Sequence, residues 1–288
     1  MNWLNKNYNQ LTKLFRYLPA FKGKKRIARL FLPNQYLSKV NRMITGKYNI
    51  MYSTPNCVES IGFDLLVDGI YEKQTIDFLI NKIPERGLWL DIGSNIGSIS
   101  LPVAKLRKDT TVFCIEASKL ICDYLSRNID LNKLRNIEAF NFAFSDQNID
   151  SVPFFSPLDK FGKGSFSSLF TSNAEQVLTK TIDTFLDELQ LSTVDFIKMD
   201  VEGYEYSVIK GAEKLLTSND APDMLFEFVD WAEAQAYSGN TGMAQELLKF
   251  YGYKLYQITG NGEIEFMSQT LNSGAAMIFA TKKINENV

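Results

Sequence analysis

The stretch Gly87–Gly97, Gly-Leu-Trp-Leu-Asp-Ile-Gly-Ser-Asn-Ile-Gly, limits what this chain can fold into more than any other. Leu88, Trp89, Leu90 and Ile92 surround a single acid, Asp91, and the apolar run then breaks into a Gly-Ser-Asn turn. Apolar residues return with helical spacing at Ile96, Ile99, Val103, Ala104 and Leu106. A buried strand, a tight turn and a helix, in that order, open the ligand site of a doubly wound α/β sheet. Gly93 and Gly97 let the backbone turn sharply and come close to a ligand. The start of the helix would aim its free N–H groups at a carboxylate or phosphate.

Strand-like and helix-like segments alternate from there on. Thr110–Ile115 reads as a second buried strand ending in Glu116, and Ser118 is placed to cap a helix reaching Asn132. Further strands are predicted over Asn136–Phe144, Asp195–Met199 and Met224–Val229, with helices over Gly203–Leu216 and Ala244–Tyr251. Lys254–Ile258 and Ala275–Ala280 would close the sheet as an antiparallel pair. Such alternation predicts a mostly parallel sheet with helices on both faces. Pro153–Ser172, rich in Ser, Gly, Phe and Lys, interrupts it and reads as a long loop, either a lid or substrate-binding segment or a plain insertion. Upstream, Tyr71–Ile83 is helical in period, and Tyr48–Gly69 reads as short strands and turns.

Composition narrows the chemistry. The 288 residues hold no histidine, which removes the commonest general base and the commonest transition-metal ligand. Proton transfer must fall to Asp, Glu, Lys, Tyr or Cys, and a bound metal would be a hard cation on oxygen ligands. Cys57, Cys114 and Cys122 have neither paired nor metal-ligand spacing, which points to a reducing, cytoplasmic setting.

Charge is unevenly spread. Residues 1–50 carry eleven Lys or Arg and no acid, whereas the remainder carries 20 basic and 33 acidic residues. Two basic amphipathic segments, 3–18 and 22–32, end at Pro19 and Pro33. Residues 1–46 are therefore expected as a basic helical extension and 47–288 as the main domain. The extension could meet the inner face of a membrane peripherally, pack on the acidic body, or pair with a second subunit in a homo-oligomer. No run is long enough to span a bilayer, no signal-peptide pattern precedes the domain, and no nucleic-acid-binding motif accompanies the charge.

Four predicted strands end in an acid at the carboxyl rim of the sheet, where open α/β folds bind ligands: Asp91, Glu116, Asp200 and Glu227. Glu116, 25 positions after Asp91, suits the two hydroxyls of a ribose. A dinucleotide site favours Gly-x-Gly-x-x-Gly, but here Asn95 stands at the middle glycine and an acid precedes the turn. Asp91 would repel a diphosphate and attract the ammonium of an amino-acid moiety, which selects S-adenosylmethionine.

These residues carry a family resemblance. Asp91-Ile-Gly-Ser-Asn-Ile-Gly97, Ile115-Glu-Ala-Ser118, Asn128 and Asn132, Asn141-x-Ala143-x-Ser145-Asp146, Thr181-Ile-Asp183 and Ile197-Lys-Met-Asp-Val-Glu-Gly-Tyr-Glu205 resemble the FkbM-type methyltransferases over roughly residues 58–260, with Gly69-Ile-Tyr-Glu72 as the lead-in. The resemblance implies a class I methyltransferase fold, a Rossmann-like doubly wound sheet of seven strands, and O-methylation of a hydroxyl on a sugar, glycan or other small-molecule acceptor. It places Glu72, Asp91, Gly93, Ser94, Asn95, Gly97, Glu116, Ala117, Ser118, Ala143 and Phe144 around the cofactor. Ser94 departs from the family's usual alanine, and Pro102 falls where an early-starting helix would not accept it.

For the hydroxyl proton the candidates are Asp200 or Glu202 as general base, with Glu227 close by. Mg²⁺ held by two or three of these acids is a second route, and capping of helix amides by Glu202 and Glu205 is the structural alternative. The Ser- and Phe-rich loop at 153–172 and the residues after Glu227, Asp230, Trp231 and Tyr237, are candidates either to contact a sugar acceptor or for simple packing. Two other functions compete: a NAD-dependent oxidoreductase, disfavoured by Asp91 and Asn95, and a silent module recruiting glycan-assembly enzymes to a membrane.

Overall fold

The computed structural model of the chain describes residues 2–19, 21–168, 171–260 and 262–283. Two helices, Asn2–Tyr17 and Lys24–Phe31, form the expected basic segments and stop before Pro19 and Pro33. A hairpin of β1 (Arg42–Thr45) and β2 (Met51–Thr54) then runs across position 46/47. Phe15, Ala28, Leu32 and Leu37 are buried in the same core as Trp89, Ile96 and Leu101, so the inner face of the extension packs on the body.

Ser60–Val67 is a helix, where short strands and turns were expected. Every residue from Ile61 to Val67 is buried, so no polar face marks a helical period in the sequence. Glu59 starts the helix by accepting the Ile61 N–H at 2.7 Å. Helix Lys73–Lys82 then leads to the sheet, as its periodicity predicts.

The central strands begin with β3 (Leu88–Ile92), β4 (Thr111–Ile115) and β5 (Ile137–Phe140). Between them lie helices Ser100–Leu106 and Lys119–Asn132. Pro102 is the third residue of the first helix, where its missing N–H costs no hydrogen bond. The strand expected over Asn136–Phe144 splits instead. Asn141 Nδ2 donates to the carbonyls of Glu116 and Ala117, both at 2.9 Å, and turns the chain out of the sheet. β6 (Ala143–Phe144) joins a separate three-stranded sheet with β7 (Ile149–Phe155) and β8 (Ala174–Lys180). The interrupting loop is thus shorter than predicted, because β7 takes its first residues.

The chain returns through helix Ile182–Glu188, capped by Thr181, to β9 (Phe196–Met199). Two short helices, Glu205–Lys210 and Glu213–Thr217, replace the single one expected over Gly203–Leu216. They break at Gly211, where a Cβ would lie 2.0 Å from the Ser145 carbonyl oxygen. β10 (Asp223–Val229), helices Asp230–Ala236 and Met243–Phe250, β11 (Lys254–Ile258), β12 (Ile264–Phe266) and β13 (Ala275–Thr281) complete the chain.

The large sheet runs β12-β11-β13-β10-β9-β3-β4-β5. β10, β9, β3, β4 and β5 are mutually parallel, and β13 is antiparallel to β10 and to β11. Seven strands follow the expected class I arrangement; β12 is an added edge strand beside β11. Alternate residues pack into two cores, Trp89 and Phe196 in one, Leu90 and Ile197 in the other, which is the mark of a sheet covered on both faces. The chain leaves β3 for β4 and β5, then returns to β9 on the other side of β3. That switch opens a crevice over the carboxyl ends of β3 and β9.

Candidate active site

The turn after β3 is held in place by backbone geometry. Gly93 has φ 76°, and a Cβ there would lie 1.9 Å from the Asp200 carbonyl oxygen. The ends of β3 and β9 approach so closely that a side chain has no room. Asn95, at φ 51°, takes a left-handed conformation that asparagine tolerates. Its Nδ2 donates to the Phe161 carbonyl at 3.0 Å, which ties the turn to the 156–173 loop. Its backbone N–H donates to Glu116 Oε2 at 2.9 Å, and the Ser118 N–H donates to Oε1 at 2.9 Å. Burial pushes the Glu116 carboxyl up to about 7, against the pull of those two amides. Each oxygen keeps a further acceptor site.

Asp91 lies beneath this turn with no solvent exposure. The register of β3 on β9 sets it opposite Lys198, and Lys198 Nζ stands 3.2 Å from Asp91 Oδ1. Burial works against the Lys198 ammonium, but the carboxylates of Asp91 and Asp200 outweigh it and hold its pKa above lysine's ordinary value. The charge of Asp91 is therefore matched inside the protein, and Lys198 forms part of the cleft wall where Asp91 does not.

A cleft opens over these residues. Gly93, Ser94, Asn95, Glu116 and Ala117 line one side, with Phe142, Ala143 and Phe144 next to them. Asp200, Glu202 and Glu227 line the other, together with Tyr71 and Tyr204. The loop covers the cleft with Phe161, Gly162, Lys163, Gly164 and Phe166. Five carboxyl groups, counting Glu59, and two lysines thus line it.

The acids are unequally partnered. Glu202, at φ 53°, accepts Lys163 Nζ on Oε1 at 2.7 Å, while its Oε2 is buried without a hydrogen-bond partner. Burial and the neighbouring Asp200 push Glu202 up to about 7, with Lys163 opposing. Glu227 sits inside β10, opposite Met277, and not at the strand end predicted for it. Burial, then Asp200 and Glu202, push it up to about 8. Glu205 is the acid that serves local amides: its Oε1 accepts the Val201 N–H at 3.0 Å, outside the cleft wall.

Several residues expected around the cofactor lie outside the cleft wall. Glu72 accepts the Thr75 hydroxyl at 3.1 Å, and its neighbour Tyr71 faces the cleft instead. Gly97, φ 82°, shapes the turn around Leu101. Ser118 stands at the helix N-cap without capping through its side chain, and Glu175 takes the Lys119 N–H at 3.0 Å. The helix after the turn begins as late as Ser100, so turn residues form the wall that its N-terminus was expected to provide. Trp231 and Tyr237 lie outside the wall, although Tyr237 supports Tyr204 at 6.1 Å between ring centroids.

Tyr71, Lys163, Lys198 and Tyr204 line the cleft although no role for them is legible in the sequence. A charge inside an apolar strand at Lys198, and a lysine between two glycines at Lys163, were the available signals. Among the described residues, no group of three or more Cys, Asp or Glu is placed to hold a metal ion.

The sequence profile of the methyltransferase FkbM domain matches residues 91–255. The 2-O-methyltransferase NoeI of Sinorhizobium fredii is 27% identical over 169 residues, covering 52% of this chain and 65% of NoeI, just under two thirds of that protein's length. Methyltransferase 1 of Beauveria bassiana is 23% identical over 175 residues, covering 54% of this chain and 68% of that protein. Among solved structures, M. jannaschii TYW2 in complex with AdoMet aligns over 84% of this chain and 85% of its own, at 16% identity and a TM-score of 0.41.

Proposed function

The chain belongs to the methyltransferase FkbM domain family, and we propose that it transfers a methyl group from S-adenosylmethionine to a hydroxyl of a sugar, glycan or related natural product. The observation that carries this reading is the cleft wall, which sets a partly satisfied Glu116 together with an acid cluster formed by Asp200 and Glu202 after β9 and by Glu227 inside β10. Free acceptor sites on Glu116 suit a ribose diol. Five carboxyl groups against two lysines suit a cationic ligand, and the turn carries Asn95 where a dinucleotide turn has the middle glycine that lets a diphosphate lie against its backbone. When bound, S-adenosylmethionine supplies an electrophilic methyl group on a sulfonium.

The chain's own residues do the rest. Glu116 holds the ribose, and Lys198, kept charged by Asp91, meets the carboxylate end. Glu202 or Glu227 takes the acceptor's hydroxyl proton, since proton affinities near 7 and 8 match that work at neutral pH. Asp200 raises both affinities through its charge, and Lys163 fixes the Glu202 carboxylate in position. Tyr71, Tyr204 and Phe166 offer aromatic faces of the kind that pack on sugar rings. The name of the rhizobial relative, a 2-O-methyltransferase, supports an oxygen acceptor.

Calorimetric titration with S-adenosylmethionine and with NAD tests the cofactor, and transfer of labelled methyl to a panel of sugars and nucleotide sugars tests the acceptor. Binding of the first and labelling of a hydroxyl are expected. Binding of NAD alone would overturn the reading. Turnover should survive a chelator; loss that Mg²⁺ restores would make the acids metal ligands instead.

A further inference from the structure

We propose that the outer face of the two N-terminal helices docks on an anionic lipid surface. Helix Lys24–Phe31 has three of its four basic side chains, Lys24, Lys25 and Arg29, paired to the body. Ala28 is fully buried, Lys24 reaches the Leu18 carbonyl at 3.0 Å and Asp68 at 2.7 Å, and Lys25 bonds Asp64. Arg29 lies 4.1 Å over the Phe63 ring and donates to the Val58 carbonyl at 3.2 Å. The exposed large hydrophobic side chains of this helix are Ile27 at 41%, Leu30 at 79% and Phe31 at 58% exposure, one stripe at i, i+3 and i+4.

The preceding helix repeats the pattern. Phe15 is buried, whereas Leu14, Tyr17 and Leu18, again at i, i+3 and i+4, are 57%, 88% and 38% exposed. Phe21, between the helices, is exposed too. Ten of the eighteen exposed large hydrophobic residues among the described residues fall between Leu14 and Met51, a concentration that marks an interaction surface.

Charge selects the occupant. Lys13, Lys22, Arg26 and Lys39 are exposed beside these stripes and make no ion pair among the described residues. No acid occurs in residues 1–50. Apolar side chains at the acyl boundary and lysines at the headgroups are what an anionic bilayer accepts together. No described helix is long and apolar enough to cross a membrane, so the helices would lie on it. Helix Ser60–Val67 connects this surface to the cleft: Arg16 donates to the carbonyls of Leu65 and Leu66, Lys25 pairs with Asp64, and Ser60 and Ile61 line the cleft wall.

Flotation of the full chain with vesicles tests the proposal, using phosphatidylcholine alone and phosphatidylcholine mixed with phosphatidylglycerol. Binding is expected to the mixed vesicles, weakened by salt and absent with phosphatidylcholine alone. Lys22→Ala and Arg26→Ala should each weaken partitioning about fivefold. Ile27→Ser with Leu30→Ser and Phe31→Ser should abolish it while leaving cofactor affinity unchanged, which shows that the variant is folded. No flotation, or equal flotation of the triple variant, overturns the proposal. So does a concentration-dependent dimer, by sedimentation, that the triple variant loses and vesicles do not disperse, since that face would then belong to a second copy.

Discussion

Glu116 and Glu202 face each other across the cleft with the same proton affinity and different surroundings. Burial pushes both up to about 7. Both oxygens of Glu116 accept backbone N–H groups, from Asn95 and Ser118, on turns that nothing short of local unfolding can separate. Glu202 has one oxygen on Lys163, a side chain of the covering loop, and one with no partner, on a residue held at φ 53°. A shifted pKa therefore does not assign a role by itself. The first carboxyl is fixed in the scaffold with lone pairs to spare; the second sits on a left-handed residue with one oxygen unpartnered, which suits the proton exchange proposed for it.

Neutralising each acid should separate the two. Glu202→Gln keeps the shape and removes the base; kcat is expected to fall by about 10²- to 10⁴-fold with S-adenosylmethionine affinity intact. Steady-state kinetics beside calorimetry measures both, and full turnover would move the base to Glu227. Glu116→Ala should do the reverse. Losing charge-assisted hydrogen bonds worth about 1.5–3 kcal/mol weakens cofactor binding roughly 10- to 150-fold, with kcat at saturation nearly kept. The Asn95 and Ser118 amides also lose their acceptor, so this variant should unfold at lower urea. Equal losses in kcat and in affinity for both variants would erase the distinction.

The two sides of the cleft were unequally visible in the sequence. The turn wall was legible because glycine, aspartate and asparagine do local work between Asp91 and Gly97, and Glu116 follows at the end of the next strand. What those residues touch was hidden. Asp91 faces Lys198 because β9 inserts beside β3, a pairing of residues more than a hundred positions apart. Lys163 meets Glu202 by loop placement, and the Asn136–Phe144 strand splits through hydrogen bonds from Asn141 to Glu116 and Ala117. Helix Ser60–Val67 escaped because a segment buried all round shows no periodicity.

Lys163 offers a finer probe of the catalytic side. Its charge lowers the proton affinity of Glu202, and Asp200 raises it. Lys163→Met should move the acid limb of the kcat profile to higher pH, so that activity lost near neutrality returns in alkali. An unshifted profile with uniformly reduced kcat would mean that Lys163 shapes the loop and leaves the Glu202 proton alone.

The smallest expected effect tests whether buried acids outside the cleft can be told from those within it. Glu116, Glu202, Glu205 and Glu227 all titrate in the fold at about 7 to about 8, above their ordinary value of 4.5. Between those limits the native chain holds more protons than the unfolded one, so stability falls as pH rises. The contribution is complete below about pH 4 and lost once pH passes the folded values. Urea midpoints should therefore drop from about pH 5 to about pH 9 while kcat climbs, because the base must be deprotonated to work. Glu205 adds to the first trend and has no part in the second, since it accepts the Val201 N–H away from the cleft wall. Glu205→Gln should flatten the stability slope, by at most about 1.4 kcal/mol per pH unit, and leave the kcat profile in place. A shifted kcat profile in that variant would put Glu205 in the same proton network as Glu202, and the cleft would then be divided by distance from Asp200 and not by hydrogen-bond partners.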